Sequence, residues 1–569
     1  MSPLGSPLVS REQWRELARE VLRKSGRDAV SPEEALATVT YDGITLAPLY
    51  DAADLPAGPG LPPSAGREPG RPWEVRQRHE TADPEAVMTD LENGADSLWL
   101  AVAPEDLPRV LGGVHLDLIS IVLDAGPRTG QAAEALLALA GDVRRDGAGA
   151  LRGCLGADPL GHAARSGAVP DLSGLGRLAR LCADRLPGMR AITVDATPYH
   201  EAGGSDAEEL GCSIATGLAY LRGLTEDGIA AGDAFGLLEF RYAATADQFA
   251  TIAKLRAARL LWARVAEVCD APPAQYQHAV TSAAMMTRRD PYTNMLRTTL
   301  ACFAAGVGGA DAVTVRPFDD ALGLPDDFSR RIARNTSTLL VEEAHVARTF
   351  DPAGGSWYVE RRTADLAEKA WEWFQEIETA GGMTAARSLV ADRLAATRAR
   401  RARDLARLRP PIVGVSRYPD PAGKPPARAH TPRPAADALP RVRHAQDFED
   451  LLDQADEARP RVFLATLGPA AEHAARLAFA RGLFEVGGVE TVTGAPGDFA
   501  GSGAVVACLC AGDRRYAAEA AEAAALLRRA GARWIWLAGR DRHDGVDANL
   551  YAGCDVLDVL RTTLSEVTA

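Results

Sequence analysis

Long apolar runs are missing from this sequence of 569 residues. A membrane-spanning helix needs about 18 or more consecutive apolar residues, and no such run occurs. The first residues, MSPLGSPLVSREQW, also lack the charged and then apolar pattern of a secretory signal. We therefore expect a cytoplasmic protein with no membrane partner.

Cysteine is also scarce, with 8 residues scattered along the chain. Their spacing is not that of a zinc site, so no metal ligands are predicted. Cys508 and Cys510, the closest pair, alternate within a predicted strand. We interpret them as small buried residues of a reducing compartment.

An excess of positive charge is missing as well, since the formal net charge is −14. An acidic chain is poorly suited to a general nucleic-acid surface and is typical of a soluble enzyme subunit. The Arg-rich stretch at 398–409 is accordingly interpreted as the solvated face of a helix. No nucleic-acid partner is expected.

The middle of the chain alternates short apolar, β-branched runs with amphipathic helical stretches. Eight such alternations predict a (β/α)8 barrel within residues 41–385. Its N-terminal part, up to about residue 80, is read as an extended segment that wraps a surface or lines a channel. The predicted strands are SLWLAV (97–102), LDLISIVLD (116–124), ALRGCLG (150–156), AITVDA (191–196), LLEFRYA (237–243), HAVTSA (278–283), AVTVRPF (312–318) and HVARTF (345–350).

Residues 1–40 are predicted to form an arm and an amphipathic helix at Arg11–Lys24. Ser10 is a candidate N-cap, but the Glu that would complete a capping box is absent at position 13. A helix outside the main domain suits a contact with a partner chain, and packing on its own chain is an equal alternative.

After the barrel, residues 386–458 are predicted to be helical and then a Pro-rich extended linker. Residues 459–569 form a compact α/β unit of the flavodoxin-like, doubly wound parallel type. Its helices are predicted at 470–486, 514–530 and 557–567. Its strands are RVFLATL (461–467), VETVTG (489–494), AVVACLC (504–510), WIWLAG (534–539) and CDVLDVL (554–560).

The first turn of this last domain is where a cofactor or phosphate is expected. It connects the strand at 462–466, through Gly468, to a helix that begins near Ala470. A strand-to-helix turn in an open parallel sheet favours such a site. The residues present are Pro-Ala-Ala-Glu-His-Ala-Ala, without a Gly-rich cradle.

Nearly the whole chain, from about Tyr41 onward, resembles the adenosylcobalamin-dependent acyl-CoA mutases, above all methylmalonyl-CoA mutase. Several long segments carry the resemblance. They are DGI (42–44) with PLY (48–50), RPWEVRQ (71–77), KLRAARLLW (254–262), DPYTN (290–294), RIARN (331–335), DPAGGSWYVE (351–360) and GGM (381–383).

This resemblance implies that the barrel type holds acyl-CoA and the C-terminal domain type holds cobalamin. The family's cobalamin motif is Asp-x-His-x-x-Gly, in which the His binds cobalt and the Asp orients that His. Here Ala470, Glu472 and Ala475 take the three motif positions. His473 is one residue away, which on a helix is a rotation of about 100°; it is interpreted as a surface or capping residue, with a displaced ligand as the alternative.

The barrel departs from the family pattern too. Glu68 takes the position of the family's active-site Tyr, and a carboxylate is a poor substitute for a phenol beside an anionic thioester. The family's catalytic His aligns with Pro198 if no gap is allowed, or with His200 if two residues are deleted. We favour Pro198 because that alignment keeps the strand in register. No catalytic, cofactor-binding or metal-binding residue is therefore assigned to this chain.

One branch of the family consists of heterodimers whose small subunit has lost these sites, and the chain resembles that small subunit, including at residues 502–510. The resemblance implies an isomerase that interconverts (R)-methylmalonyl-CoA and succinyl-CoA. Adenosylcobalamin and acyl-CoA would be bound by the partner large subunit. The alternatives are a divergent active mutase that uses His473 or His200, and an acyl-CoA-binding module.

Overall fold

The computed structural model describes residues 10–56, 70–145, 151–420, 423–429 and 439–568. Glu68 lies outside these ranges. The first strands are a short antiparallel pair, β1 (Thr38–Val39) and β2 (Thr45–Leu46). None of the helices within the described ranges combines the length and the apolar character that crossing a bilayer requires.

Eight parallel strands then close a barrel in the order β10-β3-β4-β5-β6-β7-β8-β9. The barrel and its outer helices share one large apolar core, which confirms the predicted (β/α)8 architecture. The strands are β3 (Glu74–His79), β4 (Ser97–Leu100), β5 (Ser120–Leu123), β6 (Arg152–Ala157), β7 (Met189–Asp195), β8 (Leu238–Ala244), β9 (Tyr276–Thr281) and β10 (Ala312–Thr314).

One predicted barrel strand is wrong. The run at 345–350 contains a 3-10 turn at Val346–Arg348 instead of a strand. The missing member of the barrel is Glu74–His79, which the sequence placed in an extended wrapping segment. Its sequence, EVRQRH, carries charged residues at the positions that enter the barrel interior, so it shows no apolar run.

A second sheet has five parallel strands in the order β12-β11-β13-β14-β15. It confirms the flavodoxin-like prediction, and Cys508 and Cys510 are both buried in β13. Separate apolar clusters cover its two faces. The strands are β11 (Arg461–Thr466), β12 (Glu490–Gly494), β13 (Val506–Cys510), β14 (Trp534–Ala538) and β15 (Ala548–Leu550).

The predicted fifth strand of this sheet, at 554–560, is also wrong. The strand is Ala548–Leu550, and the chain from Val556 to Thr568 is a helix. Its buried residues recur at a spacing of three and four, as on one face of a helix. This spacing indicates a helix, although the β-branched residues of the segment favour a strand. The buried residues are Val556, Leu557, Val559, Leu560, Thr563 and Leu564.

Twenty α-helices lie within the described ranges. The helix that ends at Thr338 is followed directly by a π-helical turn, Leu339–Glu343. The helices are α1 (Arg11–Lys24), α2 (Pro32–Leu36), α3 (Pro84–Glu92), α4 (Leu107–Leu111), α5 (Thr129–Arg145), α6 (Pro159–Ser166), α7 (Leu175–Arg185), α8 (Thr197–Glu201), α9 (Asp206–Glu226), α10 (Ala231–Gly236), α11 (Gln248–Val268), α12 (Thr293–Val307), α13 (Asp327–Thr338), α14 (Trp357–Thr379), α15 (Gly382–Ala385), α16 (Arg387–Ala406), α17 (Gln446–Ala458), α18 (Ala470–Val486), α19 (Asp513–Arg529) and α20 (Val556–Thr568).

Helix α1 has the predicted bounds and the predicted N-cap, Ser10, but it also has a capping box that the sequence analysis did not expect. A capping box is present, because Ser10 Oγ accepts from the backbone N–H of Gln13 at 3.2 Å while Gln13 Oε1 accepts from that of Ser10 at 2.8 Å. The expectation that only Glu completes the box was wrong, since a Gln side chain supplies the same acceptor oxygen.

The second sheet is attached to the barrel through helix α17. Its Glu449 is fully buried and accepts from the backbone N–H of Arg289 at 3.2 Å and from that of Arg288 at 2.5 Å. The guanidinium group of Arg288 lies 3.3 Å from the same carboxylate, and that of Arg443 also donates to it. One buried carboxylate therefore connects the C-terminal unit to the loop after β9.

Candidate functional site

The first candidate site is the crevice at the C-terminal edge of the second sheet. Strands β11 and β13 are neighbours there, and helices α18 and α19 leave them on opposite faces of the sheet. This is the switch point at which doubly wound folds bind ligands. Gly468 turns the chain between β11 and α18 with a φ of +72°, a conformation that favours glycine.

An ion pair occupies this turn. Glu472 Oε2 accepts from Arg515 Nε at 3.0 Å, and Glu472 Oε1 accepts from Arg515 Nη2 at 3.2 Å. These hydrogen bonds to Arg515 lower the pKa of the Glu472 carboxyl. A Cβ added to Gly468 would lie 2.9 Å from Arg515 Nε, so the guanidinium group lies directly against the turn.

The other motif positions carry no functional group. Ala470 is the first residue of α18, and it and Ala475 are exposed methyl groups. His473 is partly exposed, and its Nδ1 atom is buried without a hydrogen-bond partner among the described residues. The turn therefore presents a methyl group, an ion-paired carboxylate and a second methyl group where the resemblance implies Asp, His and Gly. These residues do not fit a cobalt-bound cobalamin.

The second candidate site is the barrel mouth, the end at which the strands terminate. Residues 439–444, which we name the strap, run across it. The backbone N–H groups of Leu439, Val442 and His444 donate to carbonyl groups in helix α6, in helix α8 and in the 3-10 turn after β9. The bonds are Leu439 N to Ala164 O at 2.9 Å, Val442 N to Glu201 O at 2.9 Å and His444 N to Ala284 O at 2.8 Å.

The interior of the barrel is filled by side chains that meet across it. The guanidinium group of Arg241, on β8, lies 3.9 Å from the ring of Trp99, on β4, and these strands are opposite each other in the barrel. Lower down, Arg76 Nη1 on β3 lies 2.6 Å from Glu239 Oε1 on β8, and both side chains are fully buried. Among the described residues, these contacts join opposite sides of the barrel interior.

The charges of this interior are balanced by one another. Burial raises the pKa of Asp195, but the guanidinium groups of Arg241 and Arg165 outweigh burial and hold that pKa below its usual value. Their distances to Asp195 Oδ2 are 3.0 and 2.7 Å. Asp195 therefore stays ionised, and its negative charge is balanced by Arg165 and Arg241.

His278 is held neutral in the same layer. Burial, followed by the charges of Arg76 and Arg241, lowers its pKa well below the usual value. Arg241 Nε donates to His278 Nδ1 at 3.2 Å, so the ring proton is on Nε2, which lies 2.8 Å from Thr314 Oγ1. Both ring nitrogens are thus engaged inside the protein.

Pro198 and His200, the two alternatives for the family His, both lie in the short helix α8 and are buried. His200 Nε2 lies 2.7 Å from Ser282 Oγ, and its Nδ1 lies 3.5 Å from Glu209 Oε2. Glu209 is in turn bound by Lys254 at 2.6 Å. His200 is therefore placed in a hydrogen-bonded network apart from the pairs formed by Asp195 and Arg241.

Two functional features were missed by sequence reasoning. Arg515 lies 43 positions from Glu472, and nothing in the local pattern of α19 marks it as the partner of that carboxylate. The strap falls in the Pro-rich linker, where the absence of periodicity predicts only extended chain. Both features depend on contacts distant in sequence.

Comparison with known proteins gives a consistent result. A family profile described as methylmalonyl-CoA mutase matches residues 80–486. The methylmalonyl-CoA mutase small subunit of Streptomyces virginiae is 53% identical over 602 aligned positions, which cover 99% of this chain and 97% of that protein. The small subunit of Propionibacterium freudenreichii subsp. shermanii is 39% identical and covers 98% of the chain and 95% of its own length. The large subunit of S. virginiae is 32% identical over 73% of the chain and 63% of that protein.

Proposed function

Because the chain belongs to the methylmalonyl-CoA mutase family, among its small subunits, we propose that it is a structural subunit that performs no chemistry itself. In this proposal it pairs with a large subunit that binds both adenosylcobalamin and acyl-CoA. The assembled enzyme interconverts (R)-methylmalonyl-CoA and succinyl-CoA. Cobalamin supplies the radical chemistry, and protein supplies orientation and exclusion of water.

The observation that carries the proposal is the Glu472–Arg515 ion pair at the switch point. A cobalt ligand must be a free imidazole oriented by a second group. The ion-paired carboxylate at this position meets neither requirement, and the neighbouring Ala470 offers no orienting group.

The packed barrel and the strap support the same conclusion for the substrate. An acyl-CoA molecule that entered the barrel would have to displace the Trp99–Arg241 contact. It would also have to displace the strap, which is held by three backbone hydrogen bonds at the barrel mouth. Both changes would leave buried polar groups without partners, which costs about 1–3 kcal/mol for each group.

We assign the parts of the chain accordingly. Residues 41–385 form an acyl-CoA-mutase-type barrel, and residues 459–569 a degenerate cobalamin-binding-type domain, joined by the segment at 386–458. Residues 1–40 provide a contact with the large subunit. In support, Leu17 and Val21 on α1 are 61% and 63% exposed, which leaves an apolar face of this helix uncovered.

Co-expression with a large subunit of the same organism tests the proposal. We expect a stable complex of one small and one large subunit, and isomerase turnover that requires the complex. Deletion of residues 1–30 should weaken the complex. Turnover of methylmalonyl-CoA by the isolated chain, or failure of the two subunits to associate, would contradict the proposal.

A further inference from the structure

A cavity of ≈ 650 Å³ lies at the side of the barrel mouth, where His200, Thr245 and Met285 line it, and neither Trp99 nor Arg241 is part of its wall. It is enclosed by residues 40–46, the start of α9, helix α12 and the segment at 405–413. Its volume falls within the range of small-molecule sites, about 300–1,000 Å³. Much of its wall is apolar, and the apolar residues include Ile44, Leu46, Leu296, Leu300, Ile412 and Val413.

Part of the charge on this wall is neutralised locally. Arg362 lies 3.3 Å from the carboxylate of Asp247. Asp206 lies 3.0 Å from the ammonium group of Lys254, which is also bound by Glu209. These acidic and basic side chains neutralise one another, so they do not favour binding of a charged ligand.

Two further guanidinium groups on the wall have no carboxylate within 4.0 Å among the described residues. Arg297 donates to Asn294 Oδ1 at 2.6 Å, to Thr287 Oγ1 at 3.1 Å and to the carbonyl of Val413 at 2.6 Å. Arg401 donates to the carbonyl groups of Gly203 and Gly204. Neutral acceptors orient both cations without cancelling their charge.

The surroundings of these two cations favour a bound anion. Burial lowers the pKa of both Arg297 and Arg401. Carboxylates beyond 4.0 Å oppose this effect only in part: Asp290 and Glu449 for Arg297, and Asp206, Glu208 and Asp42 for Arg401. The cavity therefore disfavours the charge of both groups. His444, on the same wall, does not add a cation, because burial and then Arg401 lower its pKa to about 3. Asp42, the remaining acid of the wall, accepts from the backbone N–H of Ala207 at 3.2 Å.

We propose that this cavity binds an amphipathic monoanion, namely a carboxylate at the end of an apolar chain. The carboxylate would lie between Arg297 and Arg401, and the chain would cover the leucine and isoleucine wall. Such a ligand matches two cations that have no carboxylate within 4.0 Å among the described residues and that lie beside the apolar part of the wall. This inference does not rest on the proposed function, because binding of a free carboxylate requires neither cobalamin nor a large subunit.

Isothermal titration of the full chain with decanoate tests the proposal, with decanol as the uncharged probe. We expect decanoate to bind and decanol to bind at least about tenfold more weakly, because an alcohol cannot replace the charge-assisted hydrogen bonds of a carboxylate to the two guanidinium groups. In Arg297→Met and in Arg401→Met, the affinity for decanoate should fall about tenfold and the affinity for decanol should stay unchanged.

Two further measurements keep the test decisive if an Arg variant fails to fold. Leu300→Trp fills the cavity from a helix position that is 44% exposed, and it should abolish decanoate binding with both Arg residues intact. Arg403→Met, on the exposed side of α16, is the matched control and should bind as the wild type does. Absence of decanoate binding, equal binding of decanol, or tighter binding of decanoyl-CoA than of decanoate would overturn the proposal.

Discussion

The side chains of Glu472 and Arg515 are joined by two hydrogen bonds, of 3.0 and 3.2 Å, across the turn at the switch point of the C-terminal sheet. The two residues lie on α18 and α19, whose N-termini meet at this turn. In doubly wound folds the same place serves a ligand. Here the chain provides both the anion and the cation, and the two side chains remain 43% and 30% exposed at the surface of the turn.

The first prediction concerns this ion pair. Glu472→His places an imidazole at the motif position, yet we expect no retained cobalamin after dialysis. The residue that would orient the ring is Ala470, and the free guanidinium group of Arg515 would repel a cobalt cation. The visible absorption spectrum of the dialysed variant is the measurement. Retention of one corrinoid per chain would show that the other two motif positions are dispensable.

The second prediction concerns the packed barrel. Trp99 is 4% exposed and lies between the guanidinium groups of Arg78 and Arg241. Trp99→Ala should lower the free energy of unfolding by about 3–5 kcal/mol, as large-to-small substitutions in a packed core do. Urea unfolding followed by far-ultraviolet circular dichroism measures the change.

The matched control is Trp357→Ala, at a tryptophan that is 44% exposed. We expect a change within about 1 kcal/mol for this surface substitution. If the two variants lose the same small amount of stability, the barrel interior is not the packed layer described above.

The third prediction concerns the attachment of the C-terminal unit. Glu449→Ala removes a buried carboxylate that is bound by Arg288 and Arg443 and leaves their charges uncompensated. The expected loss of stability is about 3–5 kcal/mol, with faster cleavage by trypsin between residues 409 and 445. Asp456→Ala, whose side chain is 61% exposed on the same helix, should cost less than about 1 kcal/mol. Equal protease resistance of the two variants would exclude a clamping role for Glu449.

The fourth prediction is a pH dependence at Asp42. Burial, and then the neighbouring charge of Asp206, raise the pKa of Asp42 to about 6. The charge of Glu208 adds a smaller increase, and hydrogen bonds from Ser205 and the backbone of Ala207 oppose it. A raised carboxyl pKa means that the folded state binds the proton more tightly, so this contribution to stability is present at low pH and is lost as pH rises from about 4 to 6.

The neutral variant Asp42→Asn should lack this dependence. Relative to the variant, the wild type should lose roughly 2–3 kcal/mol of stability between pH 4 and pH 7, at about 1.36 kcal/mol per unit of pKa difference. Urea unfolding at several pH values measures this difference in the free energy of unfolding. The control is Asp541→Asn, at an exposed position, whose stability should vary with pH as that of the wild type does. A constant difference between wild type and Asp42→Asn across this range would contradict the assignment.

Much of the fold could be predicted because the spacing of apolar residues along the chain indicates its helices and strands. Helix α7 shows its apolar face every three or four residues, and seven barrel strands show short apolar runs. Strand β3 could not be found in this way, because Arg76 is satisfied by Glu239 from a strand 163 positions away. The ion pair between Arg76 and Glu239 stabilises the buried charge of β3, and it forms only when the folded barrel brings the two strands together.

The candidate site was predictable only in part for a similar reason. The positions of Ala470, Glu472 and Ala475 followed from the resemblance, by aligning Gly468 with the glycine that precedes the family's cobalamin motif. The ion pair with Arg515, the strap, and the cavity wall that contains Arg297 and Arg401 are formed by residues distant in sequence. A side chain's spacing shows what it could contact, but its partner is decided by tertiary packing.

The central claim, that the chain supports a catalytic partner without binding the cofactor itself, is tested most directly by the cobalamin content of the purified complex with a large subunit. The measurement is the molar ratio of bound adenosylcobalamin to subunit after gel filtration, for the complex and for the chain alone. The account predicts one cobalamin for each pair of subunits and none on the isolated chain. Two cobalamins for each pair, or stoichiometric binding by the chain alone, would contradict it.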